Sequence, residues 1–174
     1  MHPQLPKEID PFRFAQNGLK LTGELQVSDM ERLSGALHND DGVVNIDMHF
    51  DVDETNTPFL RGTFSASLTL ICERCTQPMS LKVKTECLLA LVQYERKIEG
   101  LAEQYDPWLI ESNDPIKLSS VVEDELILAL PLVPRHDFKC LPAEAWQSGE
   151  DEVEVEEEKP ASPFAVLSAL KSKD

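Results

Sequence analysis

Two cysteines two residues apart, Cys72 and Cys75, are the residues whose type and spacing point most directly to chemistry. Two thiolates at this spacing on a tight turn can face one metal ion and supply half of a tetrahedral zinc site. A complete structural site needs two more ligands. His136 and Cys140, four residues apart further along the chain, are the best candidates. The sequence therefore predicts a candidate zinc site made of these four residues.

Free thiols in a hairpin turn are the alternative interpretation of Cys72 and Cys75. A thioredoxin-like redox role fits less well, because that chemistry places the first cysteine at the N-terminus of a helix, which lowers its pKa. Here a strand is predicted after Cys75. The chain has four cysteines without the spacing of a disulfide-rich secreted domain. Core thiols or metal ligands are therefore expected.

The other reactive residue types form no catalytic pattern. Cys87 lies on the apolar side of a predicted strand, which is typical of a buried structural thiol. His49 lies on the polar side of another strand, as expected of a solvated sheet face. Glu123, Asp124 and Glu125 are consecutive on a predicted helix, so they point in different directions and form no facing acid–base pair. The sequence also has no glycine-rich phosphate loop, nucleophile elbow or His-Glu-x-x-His motif. We therefore expect no enzymatic activity.

Length and charge limit the class of protein further. The chain has 174 residues, enough for one domain with a real core. Its 32 acidic and 16 basic side chains give a formal net charge of −16. Such an excess argues against general electrostatic capture of nucleic acid or of an anionic membrane. No stretch approaches the ~20 apolar residues of a membrane-spanning helix, and the start lacks the apolar stretch of a secretory signal. We therefore expect a cytoplasmic protein.

Alternation of apolar and polar residues predicts three long strands in the middle of the chain. Residues 44–52, 60–71 and 81–92 each place apolar side chains on one face and polar side chains on the other. Short turns separate them, so they should form an antiparallel meander with the Cys-x-x-Cys in the second turn. Weaker patterns predict short strands at 17–25 and 108–110.

Two helices are expected to flank this sheet. Ser28 and Glu31 have the spacing of a capping box and predict a helix near 29–37. Ser119 or Ser120 is expected to cap a second helix, which ends before Pro131. The predicted fold class is therefore α+β, with an antiparallel meander of long strands and two flanking helices.

Three regions are predicted along the chain. Residues 1–141 form the α+β domain. Residues 142–160 form an acidic disordered linker, because 150–158 hold seven acidic residues. Residues 161–174 form a short C-terminal amphipathic helix that either docks back on the domain or binds a partner protein. Its candidate partner-binding residues are Phe164, Val166, Leu167 and Leu170.

Charge is distributed unevenly, and the middle of the chain is mildly basic. Residues 61–97 hold six basic and three acidic side chains, whereas both flanking regions are strongly acidic. On the solvated face around the cysteine turn, basic side chains could contact RNA phosphates. Ordinary cross-strand pairing with acidic neighbours is the alternative. The candidate RNA-binding residues are Arg61, Arg74, Lys82 and Lys84.

Four segments together carry a resemblance to a known family. They are DPFR at 10–13, LICERC at 70–75, VEDELILALPLVPRH at 122–136 and PFAVLSALK at 163–171. In this order, with an acidic linker before the last, they resemble the YceD family of large ribosomal RNA subunit accumulation proteins. The resemblance spans nearly the whole chain.

The resemblance implies a bacterial cytosolic protein that is needed for normal accumulation of 23S rRNA and has no catalytic activity. Some family members carry a second cysteine pair that would complete a zinc ribbon-like site, where this chain has His136 and Cys140. We expect a noncatalytic factor for large ribosomal subunit biogenesis. Its expected partners are large-subunit rRNA or a pre-ribosomal particle, with no membrane and no small-molecule substrate. The alternative is a protein-binding adaptor or chaperone for a basic ribosomal protein or an RNA-processing enzyme.

Overall fold

The computed structural model describes residues 5–112, 114–142 and 145 of the chain. The chain divides into two units, Met1–Cys140 and Leu141–Asp174. The fold and the candidate site described below belong to the first unit. In the second unit, the predicted helix at 161–174 and nearly all of the predicted linker at 142–160 lie outside the described residues.

Strands dominate the first unit. In chain order they are β1 (Glu8–Ile9), β2 (Lys20–Gln26), β3 (Val43–Val52), β4 (Pro58–Ile71), β5 (Pro78–Val92), β6 (Asp106–Leu109) and β7 (Ile116–Lys117). Five of them form the main sheet in the order β2-β3-β4-β5-β6, and β1 pairs with β7 separately. The helices are α1 (Pro11–Gln16), α2 (Glu31–Ala36) and α3 (Leu118–Ala129). None of the described helices has the length and apolar character that crossing a bilayer requires.

The predicted meander and the α+β class are confirmed. Strands β2 to β5 pair in antiparallel order with their immediate neighbours in sequence. The short strand β6 adds to the edge of β5 in the parallel direction, so the complete sheet is mixed. Strands β4 and β5 both begin earlier than predicted, at Pro58 and Pro78, because the hairpin ladder continues into the turns beyond the apolar alternation.

One face of the sheet carries the core. The alternate residues Phe50, Phe64 and Leu68 are fully buried on this face. Helix α1 packs against β3 and β4, and α3 packs against β5 and β4. The ring of Phe14 on α1 meets Phe50 edge-on, with ring centroids 5.5 Å apart. Burial of this face supplies the main driving force for folding, and the other face of the sheet remains open to solvent.

The predicted cap of α2 is wrong. Ser28 lies in a 3₁₀ turn, Val27–Asp29, and α2 begins at Glu31 without a side-chain cap from its own segment. The cap comes instead from α3, where the carboxylate of Glu123 accepts hydrogen bonds from the backbone N–H groups of Arg32 and Leu33. Because this capping group lies about 90 residues away in sequence, local spacing did not reveal it.

The start of α3 also differs from the prediction. Neither Ser119 nor Ser120 caps it: the helix begins at Leu118, and Lys117 occupies the cap position without a side-chain bond. The N–H of Leu118 donates to the carbonyl of Lys7, 3.0 Å away. Strand β7 therefore runs directly into α3, and the carbonyl of the residue just before β1 satisfies the first helical N–H group.

Helix α1 was not predicted, although its sequence has the signals of a helix start. Asp10 occupies the cap position, and its carboxylate accepts a hydrogen bond from the N–H of Arg13, 3.0 Å away. Pro11 follows at the first helical position, where proline costs nothing because its missing N–H would have had no partner. The helix has only six residues, too few for a periodic apolar pattern.

Candidate metal centre

The four residues proposed from spacing, Cys72, Cys75, His136 and Cys140, come together at the tip of the β4–β5 hairpin. Their ligand atoms all lie within 4.8 Å of one another. The sulfurs of Cys72 and Cys140 are 3.9 Å apart, and the sulfur of Cys75 is 3.4 Å from Nδ1 of His136. Sulfurs bound to one tetrahedral zinc ion at about 2.3 Å lie about 3.8 Å from each other. The four donors therefore lie close enough together to share one ion, and the separation of the two sulfurs is that expected of two ligands on a tetrahedral zinc ion.

The hairpin tip positions the first two ligands. The N–H of Cys72 donates to the carbonyl of Gln77 at 2.9 Å, and the N–H of Thr76 donates to the carbonyl of Cys72 at 2.8 Å. Thr76 has a φ of 58°, in the left-handed region that side-chain-bearing residues seldom adopt. This tight closure leaves Cys72 and Cys75 on one side of the turn.

The sulfur of Cys72 lies in an environment that favours the thiolate. Burial by itself raises the pKa of this thiol, but the backbone N–H groups of His136, Cys75 and Arg74 donate to the sulfur and lower the pKa to about 5. Hydrogen bonds to the charged form shift the equilibrium in this direction. Because the thiolate is the metal-binding form of cysteine, the backbone prepares Cys72 as a ligand.

The thiol of Cys140 is affected by the two other sulfurs of the cluster. Burial raises its pKa, and so do its contacts with the sulfurs of Cys75 and Cys72. Several negative sulfurs this close repel one another, and a bound divalent cation removes that repulsion. A donor set of three sulfurs and one imidazole nitrogen is a set that zinc binds in structural sites. The residues present therefore fit a zinc ion.

The segment after α3 holds His136 and Cys140 against the hairpin tip. The N–H of Glu73 donates to the carbonyl of Pro134 at 2.8 Å, and Nη1 of Arg74 donates to the carbonyl of Phe138 at 3.0 Å. Both donors come from the two residues between the paired cysteines. These bonds fix the second pair of candidate ligands relative to the first.

Phe138 is a neighbour of the cluster that was not predicted from the sequence. Its ring centroid lies 4.7 Å from that of His136, and the contact restricts the orientation of the imidazole. An aromatic residue midway between two candidate ligands is the signal that could have identified it.

Cys87 does not belong to the cluster. It is buried beneath α3, and burial raises the pKa of its thiol to about 12. The prediction of a buried structural thiol is therefore confirmed.

The four predicted RNA-binding residues do not form one compact patch. Lys82 and Lys84 lie side by side on the open face of β5, and Nζ of Lys84 is 3.0 Å from the carboxylate of Glu86. Arg61 lies on the same face but is level with Leu88, four residues and about 13 Å further along the strand. Arg74 lies at the tip, beside the metal candidates. The four residues are therefore spread along the β4–β5 hairpin.

His49 lies on the open face of β3, as the alternation predicts. Its Nε2 is 3.5 Å from the carboxylate of Asp51, and its ring meets Phe59 edge-on. It is not among the metal candidates that the described residues contain.

Fold and site together define the class: an α+β domain whose helices cover one face of a five-stranded sheet and whose hairpin tip carries a cysteine–histidine cluster. Residues 60–171 match the family model described as large ribosomal RNA subunit accumulation protein YceD. The chain is 32% identical over 170 residues to the Haemophilus influenzae protein of that description, and the match covers 98% of each chain. The chain therefore belongs to the YceD family. No solved structure matches it.

Proposed function

We propose that this chain is a noncatalytic cytoplasmic factor that promotes the synthesis, processing or accumulation of 23S rRNA during large ribosomal subunit biogenesis. The observation that carries the proposal is its similarity, over 98% of its length, to a protein described as a large ribosomal RNA subunit accumulation protein. Large-subunit rRNA or a pre-ribosomal particle is its proposed partner.

In this proposal the cluster of Cys72, Cys75, His136 and Cys140 binds zinc in a structural role. Four protein donors fill a tetrahedral site and leave no position for a reacting water, which is the arrangement of structural rather than catalytic zinc. A bound ion would link the β4–β5 hairpin to the segment that follows α3, two parts of the chain more than 60 residues apart in sequence. The ion would therefore act as a cross-link between these two parts of the chain.

RNA contact is assigned to the open face of the β4–β5 hairpin. Lys82 and Lys84 have the short hydroxyl side chains of Ser67 and Ser65 as cross-strand neighbours, so an approaching phosphate backbone would meet little steric hindrance. With Arg74 at the tip and Arg61 further along the strand, the basic residues form a line, which Glu86 interrupts between Lys84 and the level of Arg61. A line of this kind suits an extended stretch of RNA backbone, where phosphate contacts set position rather than sequence preference.

Complementation of a bacterial strain that lacks its own family member tests the function. The wild-type gene should restore the ratio of 23S to 16S rRNA and the amount of large subunits in a sucrose gradient. A strain with normal 23S rRNA in the absence of any family member would contradict the proposal.

Charge reversal tests the RNA face in the same strain. The double variant Lys82→Glu/Lys84→Glu should lower association with large-subunit precursors. Lys97→Glu/Lys117→Glu, which makes the same charge change at exposed positions elsewhere, should leave it intact. Equal association of the two variants would exclude RNA contact through β5.

Deletion of residues 160–174 separates the main proposal from the adaptor alternative. This segment contains the candidate partner-binding residues Phe164, Val166, Leu167 and Leu170. Loss of a protein partner with RNA association unchanged would favour an adaptor. Loss of 23S rRNA accumulation with no change in protein partners would contradict the adaptor.

A further inference from the structure

The chain from the last turn of α3 into the cysteine–histidine cluster holds apolar side chains out in solvent. Six large hydrophobic residues are exposed in the described part of the chain, and four of them lie within residues 128–138. They are Leu128 (79% exposed), Leu132 (101%), Val133 (48%) and Phe138 (63%), here called the apolar strap. Exposed apolar side chains concentrated in one short segment of a small domain are typical of an interaction site.

The apolar strap is held in place at both ends. On one side it continues from α3, which Leu126 anchors in the core. On the other side the carbonyl of Pro134 accepts the hydrogen bond from Glu73 at the hairpin tip. Pro131 and Pro134 further restrict the backbone between these points. Side chains on a backbone that is already ordered lose little further entropy when a partner covers them.

A cluster of carboxylates lies at the start of the apolar strap. Glu125 precedes Leu128 by one turn of α3. Burial raises the pKa of Glu125, and the nearby carboxylates of Asp106 and Asp124 raise it further. Asp124 has an ion pair with Arg32, whereas the ion pairs within the described residues include neither Glu125 nor Asp106. This end of the strap therefore has negative charge without a cation to offset it.

The domain as a whole also carries a net negative charge. Residues 5–142 contain 23 acidic and 13 basic side chains. A partner that approaches the strap is therefore favoured electrostatically if it is cationic. RNA fits the end of this surface beside Glu125 poorly, because the aliphatic side chains of Leu128, Leu132 and Val133 offer no stacking plane for a base and the carboxylates repel phosphates. The exposed ring of Phe138 and the cation of Arg135 lie further along the strap, away from α3.

We propose that the apolar strap is a docking surface for a cationic protein segment. Apolar side chains of that segment cover Leu128, Leu132 and Val133, and its lysine or arginine side chains lie against Glu125 and Asp106. The inference rests on the proposed function in one respect: a factor for large-subunit biogenesis meets such segments in the basic proteins of that subunit.

Site-specific photo-crosslinking identifies the occupant. The full-length chain with p-benzoylphenylalanine in place of Leu132 is irradiated with the protein fraction extracted from purified bacterial large ribosomal subunits, and in parallel with 23S rRNA. A chain labelled at Leu19 is the control, because Leu19 is also exposed but adjoins β2, the edge strand opposite the β6 strand that carries Asp106. A basic subunit protein joined at position 132 and not at position 19 supports the proposal. Crosslinks to rRNA, to a second copy, to the chain's own residues 161–174, or to nothing would overturn it.

Binding of the identified protein then tests both parts of the surface. Leu128→Ala/Leu132→Ala should weaken binding by about tenfold or more. Because both side chains are exposed, the melting temperature should not change. Glu125→Gln/Asp106→Asn should also weaken binding, most strongly at low salt. The matched controls Leu19→Ala and Asp47→Asn should bind like wild type, and equal binding by all four variants would overturn the proposal.

These outcomes are separable from those that test the proposed function. If the wild-type gene restores 23S rRNA in the deletion strain but Leu132 contacts no basic protein, only the docking surface is wrong. If the gene fails to restore 23S rRNA, the proposed function is wrong even when the crosslink forms.

Discussion

Glu123 binds both the backbone and the side chain of Arg32. Its Oε1 accepts a hydrogen bond from the N–H of Arg32 at 2.7 Å, and its Oε2 lies 3.0 Å from Nη2 of the same residue. Oε1 also accepts a hydrogen bond from the N–H of Leu33 at 3.0 Å. One carboxylate on α3 thus caps the first turn of α2 and fixes the two helices against each other.

Removal of this carboxylate should destabilise the fold. Glu123→Ala leaves the first N–H groups of α2 without an acceptor, and we expect a loss of about 2 kcal/mol in the free energy of unfolding. Urea denaturation at pH 7 measures it. Asp124→Asn is the control, because Asp124 also pairs with Arg32 but is half exposed and should matter much less. An equal loss in the two variants would show that the backbone cap is unimportant.

The same carboxylate should make stability depend on pH at the acidic end. Burial disfavours its charged form, but the hydrogen bonds from Leu33 and Arg32 outweigh burial, so the pKa of Glu123 lies below its usual value of 4.5. The contribution is therefore complete above about pH 4.5 and is lost as the pH falls through the lowered pKa. Between pH 6 and pH 3, Glu123→Gln should show a shallower loss of stability than wild type. Identical slopes would contradict this assignment.

Glu125 should have the opposite effect on stability. Burial and the neighbouring carboxylates raise its pKa, so its negative charge opposes folding at neutral pH, and this cost disappears as the pH falls through the raised pKa. We expect Glu125→Gln to have a higher melting temperature than wild type at pH 7 and the same one at pH 4. A lower melting temperature at pH 7 would mean that Glu125 has a stabilising partner.

Metal content is the direct test of the cysteine–histidine cluster. The purified chain should contain about one zinc per molecule, as expected for a four-ligand structural site, and chelation should lower its melting temperature by about 5 °C or more. Cys75→Ser should lose the metal. Cys87→Ala, which changes a thiol outside the cluster, should keep it. Wild-type protein without zinc after expression in zinc-supplemented medium would remove the metal from the proposal.

Gly62 is required by the packing of β4 on β5. A Cβ atom at this position would lie 2.6 Å from Cζ of Phe64 and 2.9 Å from Sγ of Cys87. Gly62→Ala should therefore destabilise the fold by about 1–3 kcal/mol through overpacking, as measured by urea denaturation.

Gly35 supplies the matched control for Gly62. It lies within α2, and a Cβ atom there would have nothing within 4 Å. Gly35→Ala should be neutral or slightly stabilising, because alanine favours the helix. Similar destabilisation of the two variants would show that the clash at Gly62 relaxes without cost.

The sequence predicted best the features that local pattern determines. Strands β3 to β5 alternate with a period of two over their length, and neighbours in sequence pair in space, so the meander followed directly from them. The cysteine spacing and the pair formed by His136 and Cys140 likewise identified the residues that the structure brings together, although the two pairs are more than 60 residues apart.

What the sequence did not predict depends on contacts between distant residues. The parallel addition of β6 to β5 has no local signature, and the Glu123 cap joins residues about 90 positions apart. The expectation of one basic patch was also wrong, because Arg61 and Lys84 lie on the paired strands of a long hairpin but at different levels along it. Local pattern gives the face on which a side chain lies but not its position along the sheet.

The separation of the two ligand pairs has a consequence for the nascent chain. Cys75 and His136 are 61 residues apart, so at a synthesis rate of 5–20 residues per second the histidine follows the cysteine by about 3–12 s. The β4–β5 hairpin needs only local contacts and can form within this interval. Its tip therefore holds two thiols that still lack their partners while the rest of the domain is being made. Under the zinc proposal, that interval is when the cluster is most open to oxidation or to capture of the wrong metal.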